Sequence, residues 1–293
     1  MPDYGHDLRF GTFITPLNSP PQFAVELAVL SEQLGYDLVT FQDHPYQPRF
    51  HDTWTLLSFV AARTQRVHLS GNVLNVPLRQ PAVLARAAAS IGLLSGGRFD
   101  FALGAGGFWD AIAAMGGQRL APGESLRALE EAIAIIRGIW NVDDRTPLRV
   151  DGEFHHVDGA KRGPAPSPEI PITVGAYGPR MLRLIGRVAD GWLPSLARLE
   201  PGDLARGNAE IDAAATDAGR DPRAIRRLLN IGELPAERIA EFALADGVST
   251  FILASDDPAV LQRFAAEVIP AVREGVAAGR PLGALAGGGA TET

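Results

Sequence analysis

The 293-residue chain contains no cysteine. Disulfides, thiolate nucleophiles, iron–sulfur clusters and cysteine-ligated zinc are therefore excluded. Lysine is almost absent: Lys161 is the single one, in a stretch rich in Gly and Pro that is unsuited to Schiff-base chemistry. Basic residues do not outnumber acidic ones; 27 Lys and Arg stand against 34 Asp and Glu, a net charge of −7, so the electrostatic footprint of a nucleic-acid binder is missing. No run reaches the roughly 18 apolar residues that would read as a membrane span. The opening MPDYGHDLRFG has neither the basic nor the apolar segment of a secretory signal, and a cytoplasmic protein is expected. No His-Glu-x-x-His or similar spacing occurs, so no metal site is expected.

What the chain does have is alternation. Short apolar runs at residues 8–14, 37–41, 67–76, 99–103, 170–174, 192–194, 225–231 and 249–253 read as strands. Between them lie longer segments with helical spacing, such as Phe23, Leu27, Leu30 and Leu34 on one face. A local signature recurs in LGYDLVTF, LSGGRFDFALG, VADGWLPSL and LADGVSTFIL: a glycine closes a helix directly before a strand. Eight strand–helix units in about 275 residues predict an α/β chain folded as a (β/α)8 TIM barrel rather than a doubly wound sheet. Residues 141–170, rich in Pro, Gly and charge, interrupt the alternation and read as an insertion. The barrel is expected over residues 1–274, as one domain, followed by a flexible low-complexity tail over 275–293.

Barrels of this kind carry their sites at the C-terminal ends of the strands. Five segments stand there. Asp43 and His44 follow the second strand, and a histidine titrates near neutral pH and can pass a proton at a bound ligand. Asn72 and Val73 end the third. Gly104, Ala105 and Gly106 follow the fourth, where small residues allow close approach to the backbone but lack the full dinucleotide spacing. Gly175, Ala176, Tyr177 and Gly178 lead from the fifth strand into a helix, an arrangement open to an anion, and Ser195 with Arg198 follow the sixth. Each also has a plain structural reading, as tight turns, caps and solvated side chains. Phe50, Trp54, Phe108, Trp109 and Phe154 suggest an apolar pocket or, equally, loop anchors.

Taken together, LRFGTFI, LVTFQDHPYQ, the block from VHLSGNVLNV to RFDFALGAG, LEEAIAIIRGIW, DGEFHHV, IPITVGAYGPRMLRLIGRVADGW and the Ile269-Pro270 pair resemble the bacterial-luciferase-like superfamily of flavin- and deazaflavin-dependent oxidoreductases. The resemblance spans residues 8–272. It implies a TIM barrel with a ring cofactor over its C-terminal mouth and a non-proline cis peptide at Asn72–Val73. It places the cofactor phosphate by Gly175–Gly178, Ser195 and Arg198, and gives Asp43, Asn72, Val73, Gly104, Ala105 and Gly106 cofactor contacts. It implies His44 as the catalytic proton carrier, because the Asp-His pair is similar to that of the coenzyme F420 branch. The first function implied is hydride transfer between coenzyme F420 and a small organic substrate. The alternatives are an FMN-dependent monooxygenase and a barrel that holds a flavin without turnover. A homodimer and a separate cofactor reductase are implied as partners. One departure stands out. Relatives that oxidise glucose 6-phosphate carry a Glu where this chain has Gly107, with Asp110 the nearest carboxylate, and Arg198 stands where some relatives have a phosphate-side Lys.

Overall fold

A computed structural model describes residues 2–280. Its central sheet is entirely parallel and runs in the order β3-β2-β1-β11-β10-β9-β8-β5-β4. The strands are β1 (Arg9–Ile14), β2 (Leu38–Phe41), β3 (His68–Gly71), β4 (Leu74–Asn75), β5 (Phe101–Gly104), β8 (Ile172–Val174), β9 (Gly191–Trp192), β10 (Arg226–Ile231) and β11 (Val248–Ala254). The predicted strand over 67–76 is split into β3 and β4 at Asn72–Val73, whose peptide bond is cis as the resemblance implied. β4 pairs with the end of β5, while Leu69 of β3 bridges to Phe99 just before β5. β3 and β4 are thus two halves of one barrel stave, and the sheet closes with eight staves.

The outer layer comprises α1 (Phe23–Gln33), α2 (Thr53–Ala61), α3 (Pro81–Leu94), α4 (Trp109–Ala114), α5 (Pro122–Trp140), α6 (Pro179–Val188), α7 (Asp203–Asp217), α8 (Ala236–Asp246), α9 (Pro258–Arg263) and α10 (Ile269–Gly279). Between helices and sheet lies the main core, where Phe10, Phe41, Phe99, Phe101 and Phe251 are fully buried or nearly so. β11 is buried from Val248 to Leu253, the near-continuous apolar run expected of a strand covered on both faces. A second, smaller cluster of Leu38, Ala102, Leu193, Leu228 and Ile252 fills the barrel itself, with Phe13 and Val73 packed against it.

Two regions differ from expectation. The segment read as an insertion contains an antiparallel hairpin, β6 (Leu148–Asp151) and β7 (His156–Ala160). The Asp151-Gly152 pair at its turn is the local signal for it, and the Glu131 carboxylate of α5 anchors the turn by accepting the N–H groups of Glu153, Phe154 and His155. At the other end, α10 continues through Gly279, so residues 275–279 are helical rather than part of a tail. The apolar side of α10 explains the extension: Val272 and Val276, one helical turn apart, are both buried. The rest of the expected tail lies outside the described residues. Among those residues no helix is long and apolar enough to cross a membrane.

Candidate active site

The staves open at their C-terminal ends onto a cavity of about 560 Å³. All thirteen site residues singled out in the sequence line it, contributed by the segments after β2, β3, β5, β8 and β9. Residues as far apart in the chain as Asp43 and Arg198 meet here only because parallel staves present all their C-terminal ends on one rim.

Val73 forms part of the cavity floor. A Cβ on Gly104 would lie 2.6 Å from the Val73 Cγ2 atom, and one on Gly175 would lie 3.2 Å from both Val73 methyls. The two glycines are therefore the space into which Val73 rises. Gly106 has a different reason: its φ of +95° is one that side chains rarely adopt. The floor's polar edge is a chain of side chains. Asn72 Nδ2 donates to Asn230 Oδ1 at 2.7 Å, and Asn230 Nδ2 donates to Asn72 Oδ1 at 3.0 Å and to Ser195 Oγ at 3.1 Å.

Asp43 belongs to the wall. Its fully buried carboxylate accepts from Arg79 Nη1 at 2.5 Å, from Arg79 Nη2 at 3.0 Å and from the Asn75 N–H at 2.7 Å. Burial pushes its carboxyl above the ordinary value, and the Arg79 guanidinium and the Asn75 N–H act against that. The donors that reach Asp43 come from β4 and the segment following it, so it braces that stretch against β2.

His44 is placed differently. Its ring stacks on Tyr46, centroids 5.1 Å apart, and meets Phe108 edge-on at 5.0 Å. Burial lowers its pKa below the usual histidine value, and the nearby Arg198 charge lowers it further, so the ring is neutral at pH 7. The Tyr46 hydroxyl is buried without a partner among the described residues, and burial with the Asp43 charge pushes its pKa up to about 12. It is thus a neutral O–H donor in the same wall.

The opposite side of the cavity is anion-friendly. Gly178 caps α6 without a side chain, and a Cβ there would meet nothing within 4 Å. The Tyr177 hydroxyl accepts from the Ser195 N–H at 3.1 Å, and the exposed Arg198 guanidinium lies over the Tyr177 ring at 5.9 Å. Trp192 Nε1 donates to the Ala176 carbonyl at 3.0 Å and so fixes the loop from below. With Asp43 held by Arg79, Arg198 is the free full charge facing this cavity among the described residues. Bare backbone at a helix N-terminus beside an arginine suits a phosphate.

A model of the luciferase-like monooxygenase family matches residues 8–252. The chain belongs to that family. This luciferase-like protein is 32% identical over 235 residues to the F420-dependent glucose-6-phosphate dehydrogenase of Gordonia bronchialis, a match covering 77% of this chain and 68% of that protein. It is 31% identical over 292 residues to the 5,10-methylenetetrahydromethanopterin reductase of Methanolobus tindarius, covering 98% and 84%. Its fold matches an F420-dependent secondary alcohol dehydrogenase, solved in complex with an F420–acetone adduct, with a TM-score of 0.79 at 20% identity, over 92% of this chain and 100% of that one.

Several participants were not singled out in the sequence of this luciferase-like chain. Arg79, Asn230, Tyr46 and Asn75 are the main ones. Asn230 had a visible signal, an amide inside the apolar run RRLLNI near a strand's C-terminal end; Arg79 had none, because its pairing with Asp43 spans 36 positions. Asp110 does not stand in for a carboxylate at position 107. Its side chain is 99% exposed, pairs with Arg119 and does not line the cavity. Of the five aromatics, Phe108 and Trp109 line this cavity and Phe154 lines a neighbouring one. Trp54 instead packs on Phe99 in the core, and Phe50 pairs with Leu17.

Proposed function

We propose that this protein is an oxidoreductase that transfers hydride between coenzyme F420 and a small organic substrate, with His44 as the proton-handling residue. The observation that carries the reading is the pairing of functions in one cavity: a neutral His44 ring between Tyr46 and Phe108 on one side, and Arg198 with the open α6 N-terminus on the other. The F420-dependent relatives support the choice of cofactor.

The residues present fit such a group. Val73 occupies the space that Gly104 and Gly175 leave open beneath the cavity, and the cavity volume lies in the range of cofactor sites. Asn72, Ala105 and Gly106 would border the ring, while Gly175–Gly178, Ser195 and Arg198 would hold the phosphate. Asp43 would keep the post-β4 segment in place. Bound there, the deazaflavin supplies a two-electron hydride carrier. The neutral His44 accepts a proton from a substrate hydroxyl in the oxidising direction and returns it in the reducing one. Tyr46 offers a hydrogen bond to a substrate oxygen. With Gly107 open and Asp110 turned to solvent, sugar-phosphate oxidation through a carboxylate is not part of this reading.

Fluorescence titration with F420 and with FMN tests the assignment. F420 should bind one per chain, and Arg198→Ala should weaken it by roughly 1–3 kcal/mol, the scale of a lost charge-assisted bond. FMN binding without F420 binding would turn the reading to a monooxygenase, and binding of neither would end it. The same reading includes a cytoplasmic homodimer that receives reduced cofactor from a separate reductase. A scattering mass of 31.2 kDa, that of one chain, would contradict the dimer.

A further inference from the structure

Five polar groups are joined in a line that ends at the cavity: Thr12, Thr40, Asn72, Asn230 and Ser195, the last three lining it. The first bond sets the direction of all the others. The Thr40 hydroxyl donates to the Thr12 carbonyl at 3.0 Å. A carbonyl oxygen only accepts, and a hydroxyl has one proton, so Thr40 Oγ1 has only lone pairs left. Asn72 Nδ2 faces those lone pairs at 3.1 Å, which leaves Asn72 Oδ1 to accept on the side of Asn230. Asn230 supplies the matching pair. Its Oδ1 accepts from Asn72 at 2.7 Å and its Nδ2 donates to Asn72 at 3.0 Å. Turning either amide over would set nitrogen against nitrogen and oxygen against oxygen. The second Nδ2 proton of Asn230 then goes to Ser195 Oγ at 3.1 Å.

Ser195 is the end of the line. It stands at the N-cap of the short turn Leu196–Arg198, yet its side chain caps nothing there. A serine so placed ordinarily accepts a backbone N–H of the turn that follows. Here Asn230 occupies the Oγ lone pair instead, and a parallel β-bridge holds Ser195 and Asn230 side by side. The Ser195 hydroxyl proton has no acceptor among the described residues. The Arg198 N–H donates to the Ser195 carbonyl at 3.0 Å, so the uncommitted hydroxyl proton and the unpaired guanidinium belong to one turn, and both residues line the cavity. Two donors side by side suit an oxygen that only accepts, such as that of a phosphate.

We propose that Asn230 is a positioning residue: by filling the lone pair of Ser195 Oγ from the barrel side, it turns the Ser195 proton toward an anionic oxygen bound beside Arg198. The ligand side of this assignment rests on the reading of the cavity as the cofactor seat. The direction of the hydroxyl does not.

One variant reverses the hydroxyl. In Asn230→Asp both side-chain oxygens accept, so Ser195 gives its proton to residue 230 and shows its lone pairs to the ligand. Fluorescence titration with F420 reads the consequence in four full-length proteins: the parent, Ser195→Ala, Asn230→Asp and the double variant. Ser195→Ala should weaken F420 about ten-fold, the size of one hydrogen bond to a charged group. Asn230→Asp should weaken it by at least as much. In the Asn230→Asp background, Ser195→Ala should cost nothing further, because no donated proton is left to lose. Losses that multiply in the double variant, as independent structural defects do, overturn the proposal, and so does parent-like affinity in either single variant.

A buried carboxylate can prevent folding, so a second measurement uses the parent alone. Neutron diffraction from deuterated, cofactor-free crystals should place the two Asn230 Nδ2 deuterons on Asn72 Oδ1 and Ser195 Oγ, and aim the Ser195 deuteron into the cavity. A Ser195 deuteron on Asn230 overturns the proposal whatever the titrations give. Absence of F420 binding in the parent ends the cofactor reading instead, and the neutron result still decides the direction of the hydroxyl.

Discussion

The two ends of the barrel use arginine in opposite ways. At the N-terminal end Arg227, with 1% of its side chain exposed, donates to Asn208 Oδ1 at 2.8 Å, to the Ile225 carbonyl and Asp212 Oδ1 at 2.5 Å each, and to Tyr4 Oη at 3.2 Å. Its guanidinium also lies over the Tyr4 ring at 4.4 Å. Arg98, in the helix–strand loop before β5, is spent on Ser95, Ala61, Thr64 and Val67. At the C-terminal mouth Arg198 faces only the Tyr177 ring, and no carboxylate pairs with it among the described residues. A guanidinium with all its donors satisfied holds a structure together; one with its donors open is available to a ligand. His44 extends the contrast. His68, at the start of β3, is bonded to Asp100 at 2.8 Å, whereas the His44 ring is held by aromatic packing alone.

The largest effect should come from the mouth. His44→Ala should lower turnover by about 10²–10⁴, the range for a lost general acid–base group, with stability nearly unchanged. In the oxidising direction the neutral ring is the working form. Its folded pKa lies below 6.5, so activity should be full at pH 7 and fall as pH drops below the ordinary histidine range. The variant should lose that acidic limb. Full turnover in His44→Ala, on a substrate the parent accepts, would move the proton to another group.

The closed end should respond in stability instead. Arg227→Ala leaves Asp212, Asn208 and the Tyr4 hydroxyl without their shared donor. The expected cost is about 3 kcal/mol, at the low end for a broken buried pair because Asp212 is one-third exposed. Urea unfolding measures it, and F420 affinity of the folded fraction should match the parent. A loss of affinity without a loss of stability would reverse the roles of the two ends.

Gly104→Ala sharpens the comparison at smaller scale. The added methyl must displace Val73, and overpacking of this kind costs about 1–3 kcal/mol. The displaced Val73 should also weaken F420, so this position should couple stability to binding, as neither arginine does. Unfolding and titration on the same sample separate the two losses.

Much of this contrast was legible in the chain. The recurring glycine before each strand and the eight apolar runs gave the barrel, and a barrel gathers the residues after its strands onto one rim, so Asp43, Gly104, Gly178 and Arg198 could be named from their places in the order. Their partners were another matter. That Asp43 is held by Arg79, that Asn230 joins Asn72 to Ser195, and that Glu131 pins the hairpin bearing His155 are all pairings across the fold. They depend on how staves and helices pack, and no local periodicity records them. Hence the place of Asp43 on the rim could be read, and the arginine that holds it could not.

Amide hydrogen exchange with and without F420 addresses the central claim, that the mouth is the cofactor seat and the opposite end is scaffold. Addition of F420 should slow exchange in residues 72–75, 104–107, 175–182 and 195–198, and leave residues 225–228 and 208–212 unchanged. Protection confined to the N-terminal end, or absent from the segments after β8 and β9, would contradict it.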